Sequence, residues 1–198
     1  MKNRFVKFIV TCFYIGHIPI MPGTFGSLLA FPLSFGIFVL SIKFKLNISV
    51  IEPFPQGFFT FLILMILACI LLFVVGVYFT NIYIKNMDQK DPKEVVIDEL
   101  VGQMLTITLS SFCNIFAYHS YLINKYPGDM IGLFFHFLLP FLLFRLFDIL
   151  KPWPIDWLDE NVQGGIGVMI DDIAAAIFAS VACYAVTFMI IGENLNAS

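Results

Sequence analysis

Charge is what this chain lacks most. Only 13% of its 198 residues are Asp, Glu, Lys or Arg, and 60% are hydrophobic. An ordinary soluble domain carries about 25% charged residues and about 45–50% apolar ones. That imbalance, with a mean hydropathy of +0.92, marks an integral membrane protein. Basic surface is scarce too: 11 Lys and Arg against 14 Asp and Glu exclude a nucleic-acid partner. The four cysteines (Cys12, Cys69, Cys113, Cys183) lie far apart in apolar stretches with no CxxC spacing. That excludes zinc and disulfide roles and leaves buried or lipid-facing thiols. His17, His119 and His136 have no companions at metal-ligand spacing. There is no GxSxG elbow, no Walker loop and no HExxH, and no cysteine is followed by arginine six positions on, so a cysteine-phosphatase loop is absent. No repeat and no low-complexity linker interrupts the chain, and the short apolar stretch after Lys2, Arg4 and Lys7 lacks a cleavage site of small residues.

What is present is a series of apolar runs. Residues 5–15 read as a short interfacial helix. Two prolines and two glycines follow in Pro19-Ile20-Met21-Pro22-Gly23-Thr24-Phe25-Gly26-Ser27 and predict a loop, with Thr24 or Ser27 capping the next helix. Runs at about 28–42, 57–84, 101–123, 130–150 and 173–191 predict five membrane-embedded helices in an all-α bundle, a single domain over 1–198. With the N-terminus in the cytoplasm, the cytoplasmic segments hold Lys2, Arg4, Lys7, Lys85, Lys90, Lys93, Arg145 and Lys151. The other side holds Lys43, Lys45 and Lys125, in the sense of the positive-inside rule. The same topology gathers four polar clusters on the cytoplasmic face.

The strongest cluster is Gly164-Gly165-Ile166-Gly167-Val168-Met169-Ile170-Asp171-Asp172. Placing an Asp in hydrocarbon costs about 2.5–3.5 kcal/mol even on the lenient insertion scale, and one Asp suffices for a helix cap. A divalent cation compensates two: Asp171 and Asp172 offer the oxygen ligands that Mg²⁺ prefers, while the glycines expose N–H groups to an anion. A second acidic pair, Asp98 and Glu99, enters the third span after Asp91, Pro92 and Glu94, with Gly102 one turn on to admit a close neighbour. In the third cluster Arg145, Asp148 and Lys151 follow one another at i, i+3 on one helical face. That face offers a carboxylate for metal flanked by two cations for phosphate. The fourth is the Pro22–Ser27 stretch, whose hydroxyls and N–H groups suit phosphate.

In this order and spacing, over roughly residues 14–185, the four blocks resemble the phosphatidylglycerophosphatase A family. The matching residues are Pro22 to Ser27; Asp91, Pro92, Asp98, Glu99 and Gly102; Phe144, Arg145, Asp148, Lys151 and Pro152; and Gly164 to Asp172. The resemblance implies an all-helical, Mg²⁺-dependent lipid phosphatase. Its substrate would be phosphatidylglycerophosphate drawn from the bilayer, and its product phosphatidylglycerol for phospholipid biosynthesis. It would sit in the bacterial inner membrane with its site facing the cytoplasm. On this reading Glu99, Asp171, Asp172 and Asp148 hold metal, and Thr24, Ser27, Arg145 and Lys151 hold phosphate. Asp98 joins Asp148, Asp171 and Asp172 as a catalytic carboxylate and serves as general base.

A transporter or ion channel with a carboxylate site is the rival reading, because intramembrane acids commonly mark ion paths. It predicts acids spread through the membrane depth. Here they gather at span ends on one face.

Overall fold

The computed structural model describes residues 2–43, 57–85, 87, 92–117 and 134–196, with side chains placed between 4 and 189. The expectations for Lys45, Lys90, Asp91, His119, Lys125 and the turn at 124–129 lie outside the described residues. Within them the chain is all-helical, with no strand.

Helix α1 (Lys2–Val10) buries Val6 and Val10 against α4 (Phe58–Ile84). Its chain reverses through Cys12, Phe13 and Tyr14, all in the left-handed region at φ 45°, 61° and 68°. The Thr11 hydroxyl holds this turn by accepting the Tyr14 N–H at 3.1 Å. A 3₁₀ turn (Ile15–His17) leads to α2 (Pro22–Leu28) and α3 (Ala30–Lys43). The expected loop is therefore helical from Pro22 onward, because proline at the first helical position costs no hydrogen bond and presets φ. Met21 precedes that proline as N-cap, so neither Thr24 nor Ser27 caps a helix.

Helix α5 (Ile97–Ala117) is the axis of the bundle, packed by α2, α3, α4, α6 (Leu139–Leu150) and α8 (Gly164–Asn196). A π-helical turn (Phe134–Leu138) enters α6, and the short α7 (Ile155–Asn161) joins α6 to α8. Three helical segments among the described residues are long and apolar enough to cross a membrane: Pro22–Lys43, Phe58–Ile84 and Gly164–Met189. At 27 residues, α4 is about 40 Å long, ample for a bilayer. Helix α5 needs less apolarity, because protein covers most of its surface: Val101, Gln103, Met104, Thr106 and Asn114 are all at or below 1% exposure, and Leu109 and Phe112 are exposed.

Small side chains let α8 approach its neighbours closely. Its buried positions include Ala175, Ala176, Ala179, Ser180 and Cys183. Hydroxyls in this dry contact are satisfied by their own helices. Thr106 donates to the Gly102 carbonyl at 2.9 Å, Ser110 to that of Thr106 at 2.7 Å and Ser180 to that of Ala176 at 2.7 Å. Toward the end of α5 far from its acids, Asn114 donates to the Phe135 carbonyl at 2.6 Å and accepts from the Thr187 hydroxyl at 3.3 Å. That amide ties α5, the π-helical turn and α8 together.

Helix α8 begins at Gly164, so Asp171 and Asp172 lie about two turns inside it rather than at its mouth. The glycines before them serve packing. Gly165 donates its N–H to Asn81 Oδ1 of α4 at 2.6 Å, and a Cβ there would overlap the Val77 carbonyl. That N–H is thus engaged by α4, which corrects the expectation that it meets an anion.

Candidate active site

Two helices bring the acids together. The first turn of α5 carries Asp98 and Glu99, where the helix dipole favours negative charge. Asp98 Oδ1 accepts the Glu99 N–H at 3.0 Å. Helix α8 brings Asp172 to them: one carboxylate oxygen from each of Asp98, Glu99 and Asp172 lies within 4.8 Å of the others. Gly102 makes the approach feasible, since a Cβ there would stand 2.6 Å from the Phe144 ring and 3.1 Å from the Asp172 carbonyl. Helix α2 closes the opposite side, with Gly23 packed against the Glu99 carboxylate and near Arg145 Nη1.

These carboxylates are withdrawn from water. Asp98 and Asp172 are 6% and 3% exposed. Glu99 Oε2 and Asp172 Oδ2 are buried with no hydrogen-bond partner among the described residues. Unpaired carboxylate oxygens in a dry site are costly, and a hard cation meets that need with the oxygen donors it prefers. The donor set fits Mg²⁺.

Asp148 and Asp171 stand outside this trio, each engaged by a cation. Arg145 Nη1 donates to Asp148 Oδ2 on the shared α6 face. Lys151 Nζ donates to Asp171 Oδ2 at 2.7 Å and to Asp159 Oδ2 at 2.8 Å. Burial by itself lowers the Lys151 ammonium, but the hydrogen bonds and charges of Asp159 and Asp171 outweigh it and hold the group above the ordinary lysine value. Arg145 Nε and Asp171 Oδ1 are buried without partners among the described residues, and so is Thr24 Oγ1. Ser27 is different: its hydroxyl donates to the Gly23 carbonyl at 3.0 Å inside α2, so it is committed to its own helix. The structure thus brings Asp98, Glu99 and Asp172 into one cluster, places Arg145 beside it, and sets Lys151 on Asp171.

Two residues were missed from the sequence. Asp159 sits on α7, which Pro152 and Pro154 disguise as loop, although Asp156, Asp159 and Glu160 signal a short polar helix. Gln103 is fully buried one turn below Glu99, its amide unpartnered among the described residues. An amide inside an apolar span was the available signal.

Helices of membrane length around a carboxylate cluster, with an arginine and a lysine at its edge, form the frame of a membrane-embedded phosphatase, and the comparisons place the chain in that class. It belongs to the phosphatidylglycerophosphatase A family, whose model matches residues 8–187. It is 32% identical over 165 residues to the Escherichia coli protein named phosphatidylglycerophosphatase A, covering 83% of this chain and 73% of that one. It is 30% identical over 183 residues to the Haemophilus influenzae protein of the same name, covering 92% and 89%. A Bacteroides thetaiotaomicron relative, provisionally named a phosphatidylinositol-3-phosphatase, is 30% identical over 172 residues, covering 86% of each chain. No solved structure matches the chain.

Proposed function

We propose that this phosphatase hydrolyses the terminal phosphate of phosphatidylglycerophosphate, giving phosphatidylglycerol for phospholipid biosynthesis. It does so with Mg²⁺ at the cytoplasmic face of the bacterial inner membrane. The observation that carries the reading is the meeting of Asp98, Glu99 and Asp172 within 4.8 Å in a family of this name. Their unpartnered oxygens support a metal, and the cations beside them support a phosphate.

Asp98, Glu99 and Asp172 would hold the ion, which when bound would supply charge neutralisation at the phosphate and lower the pKa of a bound water. Arg145, released from or shared with Asp148, turns its planar fork to the phosphate oxygens. Its unpartnered Nε is a donor available for this. Lys151 contributes a point charge, and the Thr24 hydroxyl a further donor. Water attacks phosphorus in line with the glyceryl oxygen, whose bond to phosphorus breaks. Asp171 takes the proton of the attacking water: it lies outside the ion-holding trio, and its Oδ1 is unengaged. That moves the base role from Asp98 to Asp171. Closure by α2, α5, α6 and α8 excludes bulk water, so each of these charges acts at reduced dielectric.

The test is inorganic phosphate release by purified protein in detergent micelles, with Mg²⁺ and with EDTA. Phosphatidylglycerophosphate is compared with phosphatidic acid and phosphatidylinositol 3-phosphate. Metal-dependent release that favours the first lipid is expected. Preference for either other lipid would overturn the substrate, and no release from any would overturn the activity.

A further inference from the structure

Lys151 stands where three elements meet. It is the residue that ends α6, in the left-handed conformation at φ 41°, a backbone state that favours glycine and that a lysine adopts only when its surroundings impose it. Its ammonium lies between Asp171 of α8 at 2.7 Å and Asp159 of α7 at 2.8 Å. Asp171 belongs to the reaction as proposed above. Asp159 does not: it lies toward solvent, its side chain 36% exposed against 9% for Asp171.

We infer that Asp159 is a positioning residue, holding the Lys151 ammonium over the site so that its remaining donor meets a phosphate oxygen of the substrate. An ammonium has three donors and no preferred fork. On a flexible four-carbon stem, one carboxylate fixes its distance but leaves it free to swing. Two carboxylates on different helices fix both the position of Nζ and the direction of the third N–H. Asp159 reaches this point because α7 is packed on α8 and anchored by Ile155, which is fully buried with Phe144, Ala175 and Ala176. The short helix that follows the two prolines therefore has a task at the site, and α7 carries it without touching the substrate.

The inference rests on the reading of Lys151 as a phosphate contact, and the experiment separates the two. Asp159→Asn keeps the shape of the side chain and removes its charge; Asp159→Glu keeps the charge. In Asp159→Asn, kcat/KM for phosphatidylglycerophosphate falls about fivefold, the scale of a half-exposed ion pair. The loss falls on KM, with a matching weakening of inhibition by inorganic phosphate, and Asp159→Glu restores most of it. In a Lys151→Met background, Asp159→Asn loses most of its effect on KM and on phosphate inhibition, because the inference routes its action on the phosphate through the lysine. An additive double variant, or unchanged KM and phosphate inhibition in Asp159→Asn, overturns the inference. A second readout needs no turnover: labelling of Lys151 by a water-soluble amine reagent, followed by mass spectrometry, is faster in folded Asp159→Asn than in the parent. Equal rates overturn the clamp. If the parent hydrolyses no phosphorylated lipid, the function proposed above fails, and the labelling comparison still decides whether Asp159 holds Lys151.

Discussion

Gly23 of α2 and Glu99 of α5 are packed so closely that a Cβ on the glycine would overlap the Glu99 carboxylate. Helix α2 thus acts as a wall that presses the Glu99 side chain, proposed above to bind metal, into place. Gly23→Ala is expected to displace Glu99 and to lower kcat/KM about a hundredfold, the cost of roughly 1 Å misplacement in a catalytic constellation. The measurement is lipid phosphatase activity beside a thermal unfolding scan of the same preparation. Retained activity with a retained Tm would show that α2 does not set the Glu99 position.

Asp171 and Asp172 are neighbours in sequence with different partners. One is held by Lys151, and the other joins Asp98 and Glu99. Both Asp171→Asn and Asp172→Asn should reduce turnover to a small residual level while leaving membrane insertion intact. They should differ in metal response: Asp172→Asn requires far more Mg²⁺ for any residual activity, whereas Asp171→Asn saturates at the parental concentration. Titrating residual activity against Mg²⁺ distinguishes them, and identical curves would merge the two roles.

Asn81 is a structural latch far from the acids in sequence. Its carboxamide accepts the Gly165 N–H that begins α8. Asn81→Leu leaves a buried donor unpaired and should cost about 1–3 kcal/mol. Gly165→Ala drives a methyl group into the Val77 carbonyl and should cost about as much through overpacking. Thermal unfolding in detergent measures both. A Tm within error of the parent for each would contradict the latch.

Asn114 bridges the Phe135 carbonyl and the Thr187 hydroxyl at the end of α5 away from the acids. Asn114→Ala should cost about 0.6 kcal/mol, the average for such bonds within membranes, with KM for lipid and for Mg²⁺ unchanged. A change in either constant would couple that end of the bundle to the site.

Much of this was legible because membrane burial makes polar residues conspicuous. Asp98, Glu99, Arg145, Asp148, Asp171 and Asp172 stand out against apolar surroundings, and each needs a reason to be there. Their spacing on helices indicated shared faces, and Arg145 and Asp148 do share one. Which helix meets which was not legible. Nothing local to α5 says that protein covers most of its surface, so it read as one span among five. Glycines at 164 and 165 read as an anion loop because loop and helix packing call for the same residue; only Asn81, 84 positions away, separates the two. Asp159 was hidden by Pro152 and Pro154, which end α6 but also start α7, since proline breaks a helix interior and suits a helix beginning.

The central claim is that Asp98, Glu99 and Asp172 form the divalent cation site of a lipid phosphatase. Its most direct test is binding of Mn²⁺, as a paramagnetic stand-in for Mg²⁺, to the purified protein followed by electron paramagnetic resonance. The account predicts saturable binding that Mg²⁺ displaces, and its loss in the folded Glu99→Gln/Asp172→Asn double variant. Saturable binding of equal affinity in the parent and the double variant would contradict it.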